Sequence, residues 1–182
     1  MKKKLLLVAL LLHGCFSVFA QKPNMDSLQK AYNKNRQDST LAKIYFFKSM
    51  YVFLTTNVDS GLIYSRKALN LSRKIHYQWG EVNALTGIAT YQNLNGDLPG
   101  SLKTTFEALP KALRMGLMRT VSACYNTRGL TYSTMHDYPK ALDNFYAAFH
   151  ITEKYHYNDI KVTMLNNIAR GYMDMNKPDS AY

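Results

Sequence analysis

Small residues return every forty positions along this chain, and that return limits the fold more than any other feature. One column reads Ser49, Ala89, Gly129 and Ala169; a second, twelve residues on, reads Gly61, Ser101, Ala141 and Ala181. A third, seven further, reads Ala68, Ala108 and Ala148. Gly, Ala and Ser make up only about one in five of the 182 residues, so chance does not explain the register. Other columns keep step. Leu62, Leu102 and Leu142 follow the second small site, and Asn57, Asp97 and Asp137 precede it. At twice the spacing, Lys74, His76, Tyr77, Val82 and Leu85 recur as Lys154, His156, Tyr157, Val162 and Leu165. A period of this size marks stacked supersecondary units.

Each row reads as two helices. First helices are expected near 40–55, 79–95, 119–135 and 159–175, and second helices near 57–76, 97–116 and 137–156. Leu142, Phe145 and Phe149 recur at helical rather than alternating spacing. Asn57, Asp97 and Asp137 suit helix N-caps, with Pro99 and Pro139 in the first turn, where a missing N–H costs nothing. Asn95-Gly96 and His136-Asp137 read as turns between halves. Met25, Leu28 and Tyr32 give residues 25–35 the look of an extra helix shielding the first repeat. The small columns have a mechanical cause: helices approach to about 8–10 Å only where short side chains meet. The first and second columns are expected to touch within a hairpin, and the third to admit the next hairpin. One hairpin cannot bury its apolar face, so stability must come from stacking.

The amino terminus reads as an address. Lys2, Lys3 and Lys4 precede the apolar run from Leu5 to Leu12, and Val18-Phe19-Ala20 offers a small-residue exit. That is the form of an export signal cleaved after Ala20, and the run is shorter than the ~20 residues that span a bilayer. Leu12-His13-Gly14-Cys15 offers an alternative, a lipoprotein box that would lipidate Cys15. His13 inside the box and greasy Phe16, Val18 and Phe19 after it favour cleavage instead. Export places the chain in the periplasm or cell envelope and leaves Cys124 as its single thiol, expected as a small buried hydrophobe.

The third row resembles a known repeat. Gly129 and Tyr132, then Ala141, Phe145 and Ala148, are similar to the tetratricopeptide pattern of G-x-x-Y, A-x-x-x-F and a final Ala. The fourth row repeats it with Ala169, Tyr172 and Ala181; the first two carry Val52 and Gln92 at the tyrosine position. The closing proline is replaced by Arg73, Leu113 and Glu153. Forty residues exceed the usual thirty-four, which three extra residues per helix would explain. The resemblance implies an all-α chain, a right-handed superhelix of antiparallel helix hairpins (an α-solenoid). The expected divisions are a signal peptide at 1–20, a capping helix at 21–38, and repeats at 39–78, 79–118, 119–158 and 159–182. The last repeat stops one turn into its second helix, so the chain reads as a fragment, with Ile168, Tyr172 and Met175 lacking the helix that would cover them.

The resemblance also implies a concave surface built from the first helices. Its residues would be Thr86, Thr90 and Asn93; Asn126, Leu130 and Ser133; and Asn166, Arg170 and Met173, with Phe46, Met50 and Phe53 in the first row. Such a groove would hydrogen-bond an extended peptide. Exported arrays of this kind look similar to the sensory regions of bacterial membrane-bound histidine kinases and transcriptional regulators. A protein or peptide partner is therefore expected, as a periplasmic sensor input or, alternatively, as a free-standing secreted or lipid-anchored scaffold. Membrane contact would come only through a downstream span or a lipidated Cys15. The net charge of +11 raises a second possibility, a polyanion surface from Arg66, Lys67, Arg73 and Lys74 with Lys103, Lys111, Arg114 and Arg119. Export argues against nucleic acid. No cofactor, metal or catalytic constellation is expected: His150 and His156 are misaligned on a helix, and His76 and His156 look like a repeated packing position.

Overall fold

Every helix from residue 58 to residue 154 ends in the same way. His76, Gly96, Gly116, His136 and His156 carry positive φ of 54°, 79°, 65°, 61° and 55°. Their amides donate to the carbonyls of Arg73, Asn93, Leu113, Ser133 and Glu153, three residues back. The following amides of Tyr77, Asp97, Asp137 and Tyr157 reach Ser72, Gln92, Tyr132 and Thr152, five back. This pair of hydrogen bonds around a left-handed residue closes a helix by satisfying carbonyls that its end leaves bare. The backbone therefore repeats every twenty residues, half the sequence period. His76 and His156 are exposed turn residues, not packing residues.

The computed structural model describes residues 25–35, 37–53 and 58–175, which are all-α in eight helices without a strand. These are α1 Met25–Asn35, α2 Asp38–Phe53, α3 Val58–Lys74, α4 Gln78–Leu94, α5 Leu98–Arg114, α6 Met118–Thr134, α7 Tyr138–Lys154 and α8 Asn158–Met175. From α3 to α7 each has 17 residues. Asp97 and Asp137 cap α5 and α7, their carboxylates accepting from the amides of Gly100 at 3.0 Å and Lys140 at 3.2 Å. The other N-termini work differently. Tyr77 and Leu117 begin α4 and α6 with no side-chain cap bond. Residues 1–20, where the export signal is expected, with Cys15, and also Asn57 and Ala181, lie outside the described residues.

The described chain forms two compact units that divide between Gly116 and Leu117. In the first, α2, α3 and α4 meet where side chains are smallest. The Ser49 and Ser65 hydroxyls lie 2.6 Å apart, and a Cβ on Gly87 would stand 2.8 Å from Ser65 Oγ. The ring of Tyr91 fills the space that Gly61 leaves, and its hydroxyl donates to the Ser49 carbonyl at 2.5 Å. Burial pushes that phenol up to about 12, against the opposing pull of the hydrogen bond. Phe46 is buried edge-on against Trp79, with ring centroids 5.7 Å apart.

In the second unit, Ala141, Leu142, Phe145 and Ile168 form a core joined by Leu130, Tyr132 and Phe149. A Cβ on Gly129 would meet the Phe145 ring at 2.5 Å and the Ala141 carbonyl at 3.2 Å. First and second columns thus touch here, within the α6–α7 hairpin. The third-column residues Ala68, Ala108 and Ala148 are fully buried. Ala148 is reached from its own hairpin, its carbonyl accepting from Ser122 Oγ at 3.2 Å. Two neighbouring residues of α8 behave otherwise than expected. Ile168 is buried against α7, whereas Ala169, the last described member of the first column, is exposed.

Candidate functional site

The expected groove residues fall into three depths. Thr86 and Thr90 are buried on α4, and Asn126 on α6. The threonine hydroxyls donate to carbonyls of their own helix, Val82 at 3.0 Å and Thr86 at 3.1 Å, which lets a polar side chain sit inside. Asn126 accepts from Asn167 of α8 at 2.7 Å, a buried amide pair. These three side chains face packing partners rather than an incoming peptide. Phe46 is buried too, Met50 is half-buried, and the side chain of Phe53 lies outside the description.

What remains open is Asn93 in the first unit and, in the second, half-buried Leu130, Ser133 and Arg170 with exposed Asn166 and Met173. In the second unit α6 and α8 are tied near their starts by Arg119 and Asp159, with paired contacts of 2.7 and 3.1 Å, and deeper by the Asn126–Asn167 bond. The Arg119 guanidinium also lies 4.4 Å from the Tyr157 ring centroid. Arg170 reaches Asp174 at 3.4 Å, one turn further along α8. A ligand on this row would meet a positioned guanidinium, an amide, a hydroxyl and a thioether. The other packing residues, Ser49, Gly61, Ser101, Ala89 and Tyr172, do not take part: the first four are buried and Tyr172 is exposed elsewhere on α8.

The basic surface is less free than its composition suggests. Arg73 of α3 contacts Glu81 of α4 at 3.4 Å and Glu107 of α5 at 2.7 Å. Lys111 closes the ring, 2.6 Å from Glu81 and 3.0 Å from Glu107. Burial alone would raise the Glu81 carboxyl, but hydrogen bonds and charges from Lys111 and Arg73 outweigh it and hold it below its ordinary range. Burial likewise opposes the Lys111 ammonium, which its two carboxylates nevertheless stabilise and push up. Beside this ring, Gln78, Glu81 and Val82 of α4 and Lys111, Arg114 and Met115 at the end of α5 line an open cavity of about 350 Å³. Lys67 spreads over the rings of Tyr45 and Tyr64. Arg66, Lys74, Lys103 and Arg114 remain exposed.

The charge ring was missed in the sequence, yet it left a trace there. Positions 73 and 81 hold Arg and Glu; eighty residues on, 153 and 161 hold Glu and Lys, and these contact at 2.6 Å. The same turn is bridged twice with opposite polarity. Among the described residues no group of three or more His, Cys, Asp or Glu converges, and no helix is long and apolar enough to cross a membrane. No protein-family model matches the chain, and no curated protein matches it significantly.

Proposed function

We propose that the chain is an exported interaction domain of tetratricopeptide type, a superhelix of helix hairpins serving as the periplasmic sensor input of a signalling protein. The observation that carries this reading is the meeting of the motif residues themselves. Gly129 leaves room for Phe145, Ala141 lies against Gly129, and Ala148 is buried beneath Ser122. A pattern shared by chance has no reason to bring its members into contact. The surface offered to a partner is the row of Leu130, Ser133, Asn166, Arg170 and Met173, which supplies donors suited to an extended peptide backbone. Selecting extended peptides against residues 21–182 and titrating them by calorimetry tests it. Asn166→Ala and Arg170→Ala should each weaken binding about tenfold. Affinity unchanged in both variants rejects the groove.

A second reading is favoured by one observation, the exposure of Arg66, Lys74, Lys103 and Arg114. In it the chain rests on an anionic envelope or lipid surface, as a scaffold rather than a peptide receptor.

A further inference from the structure

The cavity between the start of α4 and the end of α5 is lined differently from the matching positions of the other rows. Glu81 and Lys111, which meet at 2.6 Å, both belong to its wall. Forty residues earlier the same two positions hold Leu41 and Leu71, and forty residues later Val121 and Ile151. Val121 is buried and the other three are half-buried. The neighbouring rows therefore fill these positions with apolar side chains. Taking charges partly out of water carries a desolvation cost that such a pair does not have. Stacking by itself does not call for a carboxylate and an ammonium here.

The charged wall also has donors left over. Lys111 gives two of its three N–H groups to Glu81 and Glu107, at 2.6 and 3.0 Å. Arg114, three residues on, is exposed, and no ion pair among the described residues engages it. Glu81, the one carboxylate in the lining, is already held by Arg73 and Lys111, so the lining is positive on balance. Gln78 adds an amide, and Val82 and Met115 add apolar surface. All six residues belong to the first unit. The volume of about 350 Å³ lies at the small end of the range for ligand pockets, roughly 300–1,000 Å³.

We propose that this cavity binds a small aliphatic carboxylate. The ligand's carboxylate takes the two-bond fork of the Arg114 guanidinium and the third N–H of Lys111, and its alkyl part lies against Val82 and Met115. Two sources share this chemistry, a free organic acid and an amino acid, whose ammonium would meet the Glu81 carboxylate. The site goes beyond the interaction-domain reading and uses none of the residues of the peptide row.

Isovalerate, leucine and inorganic phosphate titrated into the protein by calorimetry test it. Isovalerate or leucine should bind saturably and raise the thermal midpoint, and phosphate should do neither. Tighter binding of leucine identifies an amino acid as the source; tighter binding of isovalerate identifies a free acid. Arg114→Gln should weaken the carboxylate at least about tenfold while the midpoint of the unliganded protein stays unchanged, because Arg114 is exposed and unpaired. Lys74→Gln with Lys103→Gln should leave the affinity as it was. No saturable binding of either carboxylate, phosphate binding as tightly, or full affinity in Arg114→Gln overturns the proposal. An equal loss in the Lys74→Gln, Lys103→Gln protein also overturns it, since diffuse surface charge would then be the cause. A peptide that needs Arg170 should bind the Arg114→Gln protein normally, so either reading can fail alone.

Discussion

At the residue scale the fold depends on where a Cβ is absent and where φ is positive, and these are different demands. Gly129 lies in a helix and is needed for space. Adding one methyl there gains helix propensity of up to ~1 kcal/mol but drives into Phe145 and the Ala141 carbonyl. Gly129→Ala should therefore destabilise by about 1–2 kcal/mol, and Ala141→Leu by about 1–3, both read from urea unfolding. Gly96 and Gly116 have nothing within 4 Å of a would-be Cβ and are needed only for their left-handed backbone. His156 holds that same conformation with a side chain. His156→Gly should raise the stability by about 0.5–1 kcal/mol, seen as a higher thermal midpoint; an unchanged or lower midpoint contradicts the assignment.

At the element scale, helices α3, α4 and α5 are pinned by the ring of Arg73, Glu81, Glu107 and Lys111. Glu81 titrates below its ordinary 4.5 in the folded chain, so its contribution is complete above that value. It fades as pH falls through the lowered folded value. Glu81→Gln should cost roughly 0.5–1 kcal/mol at about pH 7, and less in ~1 M salt. The gap between the two proteins should narrow as pH falls below 4.5 and through the lowered folded value; a gap independent of pH would show that the loss is one of packing. Helix boundaries were legible in proportion to their chemistry. Asp97 and Asp137 announced α5 and α7 because their carboxylates cap them. The expected ends at 76, 116 and 156 run two residues past the observed 74, 114 and 154, because they take in the left-handed residue that closes each helix, His76, Gly116 or His156. The groove was misread where polarity stood in for exposure: Thr86, Thr90 and Asn126 satisfy their polar atoms internally. Nothing in one sequence distinguishes such a residue from one that greets a ligand.

At the scale of the whole molecule, 23 Lys and Arg stand against 12 Asp and Glu. Ion pairs among the described residues already engage Glu81, Glu107, Asp137, Glu153, Asp159 and Asp174. With basic residues in excess, the charge left over is positive on balance. Binding to vesicles bearing anionic headgroups should fall steeply between about 50 and 200 mM salt, and Lys74→Gln with Lys103→Gln should flatten that slope. Retention indifferent to salt removes the polyanion reading.

The joints at 76, 96, 116, 136 and 156 share one backbone shape and one spacing. Excising forty residues between two like joints, for instance from 77 to 116, would splice ends that already agree in backbone conformation. Gene slippage that adds or drops such a block would leave no misfitting seam, so chain length is a freedom this architecture hands to evolution.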